Sequence, residues 1–564
     1  MIRGVAMSSL ARPAAALAAS VALLSLVACQ AGVSHGADGA GGGAGTMGGT
    51  GSTSGVGGSP NLTVACNAPA LGTPVLRLLT ASEQINTLND IFPSVAGQWT
   101  SVLPAGTVSA FGFDNDASTT VGKQLAGGML DTATALATAV TGSALASLLP
   151  CSQSGANRSC AEQFLTQYGR RLFRRALTTA EHDRYLAFFD ASLAKSNFTS
   201  ALKWMLIGLI QSPSAVYRSE IGVPQSDGTR QLSPYEVASA VSYTFAGSTP
   251  SAALLDKADS GNLGDVVALA RSLQATPAGK QVLIRFFQNY LSYTSVSSIQ
   301  KPNIANFNSV SADMVRETDA FISDIVVQKG GGMKQLLTAT TTNPSAALAS
   351  YYGFPAPAGD YASVTRPAAR GLGILAQGSF LASHASSNSS SPTKRGLFPF
   401  FRLFCQAKIS PPDNVPQIGQ PQPGVKTTRQ RYEEAHAPAG TFCAGCHHRF
   451  DPIGFGFEHY DEGGRYRADE AGLPIDSAAS VPDPNVDGAS LFSFTGQEDL
   501  VTGLANQAVV HQCVAAYLAT YAFGSGEACI GSSQVPALQD GSMGLAEAFL
   551  RLAGEPHFTR RTAQ

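Results

Sequence analysis

Leu232-Ser233-Pro234-Tyr235-Glu236-Val237-Ala238-Ser239 carries the local chemistry of a helix start. A serine hydroxyl at the cap accepts from the third helical N–H, and the glutamate three residues on accepts from the cap's own N–H. Proline occupies the first helical position, where its missing donor would have had no partner. The pattern recurs in Thr178-Thr179-Ala180-Glu181 and in Thr80-Ala81-Ser82-Glu83. The latter is followed by Ile85, Leu88 and Ile91 along one side and stopped by Pro93. Apolar spacings of three and four predict further helices over 161–173, 198–210, 282–291, 313–328 and 498–522. Strand alternation is scarce, so the predicted class is mainly α.

Outward from these helices, loops rich in Gly, Pro, Ser or Asn at 222–230, 383–392 and 411–424 separate the helical groups. They predict helical N-terminal domains over 61–225, a helical middle domain over 226–365, a motif-bearing domain over 366–485 and a C-terminal helical domain over 486–564. Residues 30–60 are mostly Gly, Ser, Thr and Ala, a composition that builds no core and serves as a tether. The first 29 residues read as an export signal, with Arg3 and Arg12 ahead of an Ala-, Val- and Leu-rich run that is short for a permanent span. The run ends in Leu26-Val27-Ala28-Cys29, similar to the lipobox of bacterial lipoproteins, whose cysteine takes the lipid. Lipidation at Cys29, with Gln30 following, predicts an exported chain held by its lipid in the cell envelope, at the outer membrane.

The 564 residues carry 37 Lys+Arg against 39 Asp+Glu, and a net charge of -2 gives no reason to expect a nucleic-acid partner. No GxSxG, P-loop, HExxH or Rossmann glycine pattern occurs, which leaves common hydrolase and nucleotide sites without support.

Chemistry concentrates in Thr441-Phe442-Cys443-Ala444-Gly445-Cys446-His447. Cys-x-x-Cys-His places two thiols where they can add to the vinyl groups of a haem while the adjacent imidazole reaches the iron. The expected cofactor is therefore one haem c, attached through Cys443 and Cys446, with His447 as the proximal iron ligand. Two other readings stay open: a redox disulfide between the two cysteines, or zinc shared with His448 and His459. Candidates for the distal iron position are Met543, His459 and His511.

Of nine cysteines, those at 66, 151, 160, 405, 513 and 529 remain once Cys29 is assigned to lipid and Cys443 with Cys446 to haem. An oxidising compartment predicts their pairing. Short loops favour Cys151 with Cys160 and Cys513 with Cys529, leaving Cys66 with Cys405, although six cysteines allow about fifteen connectivities.

Several runs resemble a family of multi-domain cytochrome-like proteins described as planctomycete surface domains, with domains of unknown function numbered in the high fifteen-hundreds. These runs are Gly112-Phe113-Asp114-Asn115-Asp116, Phe173-Arg174-Arg175-Ala176-Leu177, the stretch from Gln211 to Glu220, the opening octet, Ser391-Pro392-Thr393-Lys394-Arg395-Gly396, and Cys443 through Tyr466. The resemblance implies a helical body with a small C-terminal c-type cytochrome-like module in a cell-envelope setting. It departs at Ser525, where the family generally has arginine, and at Tyr243-Thr244-Phe245-Ala246-Gly247, where a Trp-rich run is usual. His384 and His436 resemble family positions, and either could approach the haem or serve as a structural histidine. In Asp451-Pro452-Ile453-Gly454-Phe455-Gly456-Phe457-Glu458, the three apolar residues could cover a porphyrin or fill a core. Arg449, Arg465 and Arg467 could pair with propionates or with Asp451 and Glu458. The leading expectation is electron transfer with a redox partner protein. The alternatives are a haem-dependent oxidative enzyme acting on an extracellular substrate and a non-redox surface binding or scaffold protein.

Overall fold

A computed structural model describes residues 71–563 except 105, 107, 110–111, 408–417, 420, 422, 439, 525–540 and 542. The export signal, Cys29, the tether, Cys66 and Cys529 lie outside the described residues.

The fold is mainly α, and its helices begin where cap chemistry places them. Thr80, Thr178 and Ser233 each accept from the N–H of the glutamate three residues later, and each glutamate accepts from the cap N–H, opening helices Ala81–Ile91, Thr179–Leu193 and Pro234–Ala246. The apolar periodicity over 198–210 corresponds to helix Phe198–Ile210. The predicted 498–522 helix is instead two, Gln497–Ala505 and Ala508–Phe523, because the chain turns at Asn506 and Gln507.

The N-terminal helices close around Phe92, Leu136, Phe164, Leu202 and Met205. A larger core draws on residues from Phe113 to Phe558, so the middle, motif-bearing and C-terminal stretches pack into one another. Short antiparallel strands tie distant parts of the chain. Val75–Leu78 pairs with Tyr217–Glu220, and Arg560–Arg561 pairs with Arg230–Gln231. Where these ties converge, buried Glu220 meets Arg77 at 3.2 Å, Arg218 at 3.4 Å, and Arg561. Burial alone would raise the Glu220 carboxyl, but the three guanidinium groups hold it well below the usual range.

Cys151 and Cys160 form a disulfide. The other expected pairings are corrected: Cys405 bonds to Cys513, 108 residues away, and not to Cys66, so Cys513 does not bond to Cys529. Helix Ala508–Phe523 packs on the segment Pro399–Leu403, with Tyr517 donating to the Phe401 carbonyl, and this brings the Cα atoms of Cys405 and Cys513 to 5.5 Å from one another. Tertiary packing overrides the preference for short loops.

Among the described residues no helix is long and apolar enough to cross a membrane.

Candidate functional site

Thr441 caps the short helix Phe442–His447 by accepting from the Ala444 N–H. Cys443, Cys446 and His447 stand at spacings of three and four along it, which puts two thiols and an imidazole on one face. Both thiols are free and half-buried. On the open side of this helix, a Cβ added at Gly445 would meet nothing within 4 Å.

The His447 ring is held from behind. Its Nδ1 lies 2.9 Å from Asp451 Oδ2, and His436 Nδ1 lies 3.3 Å from the same oxygen. The two imidazoles are in contact, with centroids 3.6 Å apart and ring planes tilted by 35°. Thr393 donates to the other carboxylate oxygen at 2.6 Å. Burial would raise the Asp451 carboxyl, but its bonds to His436 and His447 hold it below its ordinary value, so it stays an anion. A carboxylate on Nδ1 keeps the proton there and leaves Nε2 of His447 as the nitrogen that could act as a ligand.

Two helices bring this set together. Pro392–Phe398, capped by Ser391, supplies Thr393, and Asp451–Phe455 supplies the carboxylate. They touch backbone to backbone: a Cβ at Gly396 would lie 1.9 Å from the Phe450 carbonyl oxygen, and one at Gly454 would lie 1.9 Å from that of Pro392. Arg395, fully buried, donates to the carbonyls of Leu381, Phe457, Tyr460 and Asp461 and so fixes the chain that follows the carboxylate.

A cleft of about 750 Å³ opens beside the imidazoles. Its wall includes His436, His447, Arg449 and Phe455, and the stretch around Pro482–Ser490 borders it. Arg429 lies over the Phe455 ring at 4.4 Å. The apolar residues of the segment divide: Phe455 faces the cleft, while Ile453 and Phe457 belong to the main core. Of the three arginines, Arg449 reaches the cleft, whereas Arg465 pairs with Asp461 and Arg467 with Glu458 and Glu470.

None of the three distal candidates lines this cleft. His459 bonds through Nδ1 to the Arg467 carbonyl and stacks on Tyr466. His511 is buried, with Nε2 3.0 Å from the Ala505 carbonyl. Met543 packs against the main core. His448 sits at the rim, 3.2 Å from Asp487. His384 is lodged against Phe380 and Phe398, away from the cleft lining, whereas His436 enters the site. The sequence reading missed the Asp451 link, although an aspartate four residues after the motif histidine was its visible signal.

The residue types suit a covalently attached haem, with free thiols and an imidazole on one helical face and an anionic carboxylate behind the imidazole, while the adjoining cleft is lined by His447 and by neither thiol. His436, His447 and Asp451 also offer three donor atoms within 4.8 Å of one another, a spacing compatible with a metal ion.

Three domain families match parts of the chain. PSCyt3, a protein of unknown function (DUF1588), matches residues 370–470 and includes Thr393, His436, Cys443, Cys446, His447 and Asp451, but not the Pro482–Ser490 stretch of the cleft wall. PSD4, a protein of unknown function (DUF1592), matches 232–354, and PSD5, a protein of unknown function (DUF1595), matches 160–220. Together they support likeness to multi-domain planctomycete cytochrome-like proteins. No curated protein and no solved structure matches the chain.

Proposed function

We propose that this chain is a cell-envelope lipoprotein that carries one covalent c-type haem and takes part in electron transfer. The observation that carries the reading is the placement of Cys443, Cys446 and His447 on one turn of helix, with Asp451 behind the imidazole. Such a haem supplies reversible one-electron chemistry at its iron. The chain's own residues do the rest. Thr441 starts the helix that orients the thiols. Asp451 holds the Nδ1 proton of His447 and raises the basicity of Nε2, while Thr393 and His436 hold Asp451 in place. Phe455 supplies apolar surface to the cleft, and the Pro482–Ser490 stretch borders it.

A second reading, a haem-dependent oxidative enzyme, is favoured by one observation. The histidines on the described cleft wall are His436, His447 and His448, no cysteine or methionine lines it, and the Pro482–Ser490 stretch offers no imidazole or sulfur. An open iron position would admit a small ligand. The spin state of the purified protein separates the two readings, low-spin for the carrier and high-spin for the enzyme.

Expression with a c-type maturation system, haem staining after denaturing electrophoresis and a reduced pyridine spectrum test the cofactor. Covalent haem is expected, and it is lost in the double variant Cys443→Ser, Cys446→Ser. Stoichiometric zinc without haem in protein from the native host would overturn the reading. Anchoring is tested separately: Cys29→Ser is expected to move the protein to the soluble envelope fraction, because one lost lipid attachment removes the acyl chains together. Unchanged membrane retention in cell fractionation would point to another anchor.

A further inference from the structure

Helices Thr179–Leu193 and Phe198–Ile210 run antiparallel, since Phe189 meets Phe198 with ring centroids 5.7 Å apart while Tyr185, one turn earlier, reaches the Gly208 carbonyl at 3.4 Å. Every large apolar side chain of the second helix is buried except Trp204, which is 52% exposed. On the first helix Phe188 is 44% exposed. The two share one surface: a Cβ at Gly208, one turn after Trp204, would lie 3.9 Å from the Phe188 ring. Exposed Ala187, Ala191 and Ala194 recur at helical spacing and extend the apolar face beside Phe188. None of these residues lines the cleft beside His447.

Cations edge this face. Arg184 stands one turn before Phe188, Lys203 adjoins Trp204, and Lys195 lies in the turn between the helices. None of the three makes an ion pair among the described residues, whereas the acids of the first helix are engaged, Glu181 by Arg175 and Asp190 by Arg158, with Asp183 beside His182 at 3.3 Å. Rings that enter an apolar phase part-way, edged by long cations whose heads stay in water, are the side-chain set that suits a bilayer interface, where lipid phosphates supply the anions. A second copy of this chain would instead bring two cation-bearing faces together. Chain length favours the same occupant. Cys29 and Leu71, the first described residue, lie 42 positions apart, and chain of that length spans at most about 150 Å, so a lipid at Cys29 keeps the body beside one bilayer surface.

We propose that this helix pair rests on the anionic headgroup surface of the membrane that holds Cys29, with Trp204 and Phe188 in the interface and Arg184, Lys195 and Lys203 against lipid phosphates. The choice of a bilayer rests on the lipoprotein reading, while the haem reading is not involved. The contact alone is weak, with a Kd on the order of 1 mM lipid, too weak to hold the Cys29→Ser chain through cell fractionation. Attachment at Cys29 makes it effective by confining the body near the surface.

Co-sedimentation of the Cys29→Ser chain with vesicles separates this contact from the lipid. Binding is expected to vesicles of phosphatidylcholine mixed with phosphatidylglycerol, to be several-fold weaker with phosphatidylcholine alone, and to fall at high salt. Phe188→Ser combined with Trp204→Ser is expected to weaken binding by about tenfold or more with Tm unchanged, since both side chains project to solvent. Lys195→Gln combined with Lys203→Gln is expected to abolish the preference for phosphatidylglycerol. Brominated acyl chains are expected to quench the tryptophan emission, an effect lost in Trp204→Phe, where Trp99 alone remains. The proposal is overturned if the anionic vesicles do not bind, if the double serine variant binds as its parent does, or if the face instead mediates a dimer that these substitutions dissolve. Failure of the lipoprotein reading would appear separately, as unchanged fractionation of Cys29→Ser in cells.

Discussion

Asp451 serves two imidazoles from one oxygen, and its negative charge is the property that matters for the site. Asp451→Asn keeps the shape but removes the anion that makes His447 a strong donor. In haem-loaded protein the midpoint potential is expected to rise by about 60 mV, the equivalent of a tenfold shift, because a weaker donor stabilises the oxidised iron less. Spectroelectrochemical titration checks this, and an unchanged or lower potential would count against the role of the carboxylate. His384 makes a different prediction. Burial beside Phe380 and Phe398, and then the nearby Arg395, Lys394 and Arg402 charges, push it down to about 4, and its neutral Nδ1–H donates to the Phe380 carbonyl. With a folded pKa below the unfolded value of about 6.5, this group's contribution is fully present above that value and is lost as pH falls towards 4. The loss amounts to as much as about 3 kcal/mol. His384→Phe is expected to flatten that part of the stability curve in urea denaturation, and equal acid losses in both proteins would refute the assignment. The motif triplet was legible at this scale because its spacing is local. The contact of His436 with His447 was not, because it depends on two helices meeting.

Between elements, the site depends on a contact only glycine allows. Gly454→Ala drives a methyl group into the Pro392 carbonyl and must separate the Thr393 and Asp451 helices. A loss of about 1–3 kcal/mol is expected, together with weaker ordering of His447, measurable by thermal unfolding and by the haem spectrum. Wild-type stability and spectrum in this variant would show that the helices can part freely. Helix starts were readable from sequence because a capping box is complete within four residues, as at Thr80, Thr178 and Ser233. Helix Lys123–Thr141 was not, since its alanines, threonines and glycines give little contrast between buried and exposed faces. The break at Asn506 and Gln507 also escaped notice, with neither proline nor glycine to mark it.

Across the whole molecule, the Cys405–Cys513 bond closes a loop 108 residues apart in sequence around the motif-bearing segment. Replacing both cysteines with serine is expected to cost about 2–5 kcal/mol, read as a lower Tm, because the unfolded chain regains the freedom of a long loop. A Tm within error of wild type would show that packing alone fixes the two segments. That pairing was not legible in the sequence, where proximity along the chain is the available guide and proximity in space decides. The cluster around Glu220 adds a matter of timing. Arg77, Arg218 and Glu220 are all synthesised long before Arg561, whose guanidinium completes the cluster beside the strand made by Arg560 and Arg561. A growing chain therefore holds a buried carboxylate site short of one cation until residue 561 has been added, and a ribosome stalled before residue 560 would present an unfinished fold to proteases, however complete its earlier helices.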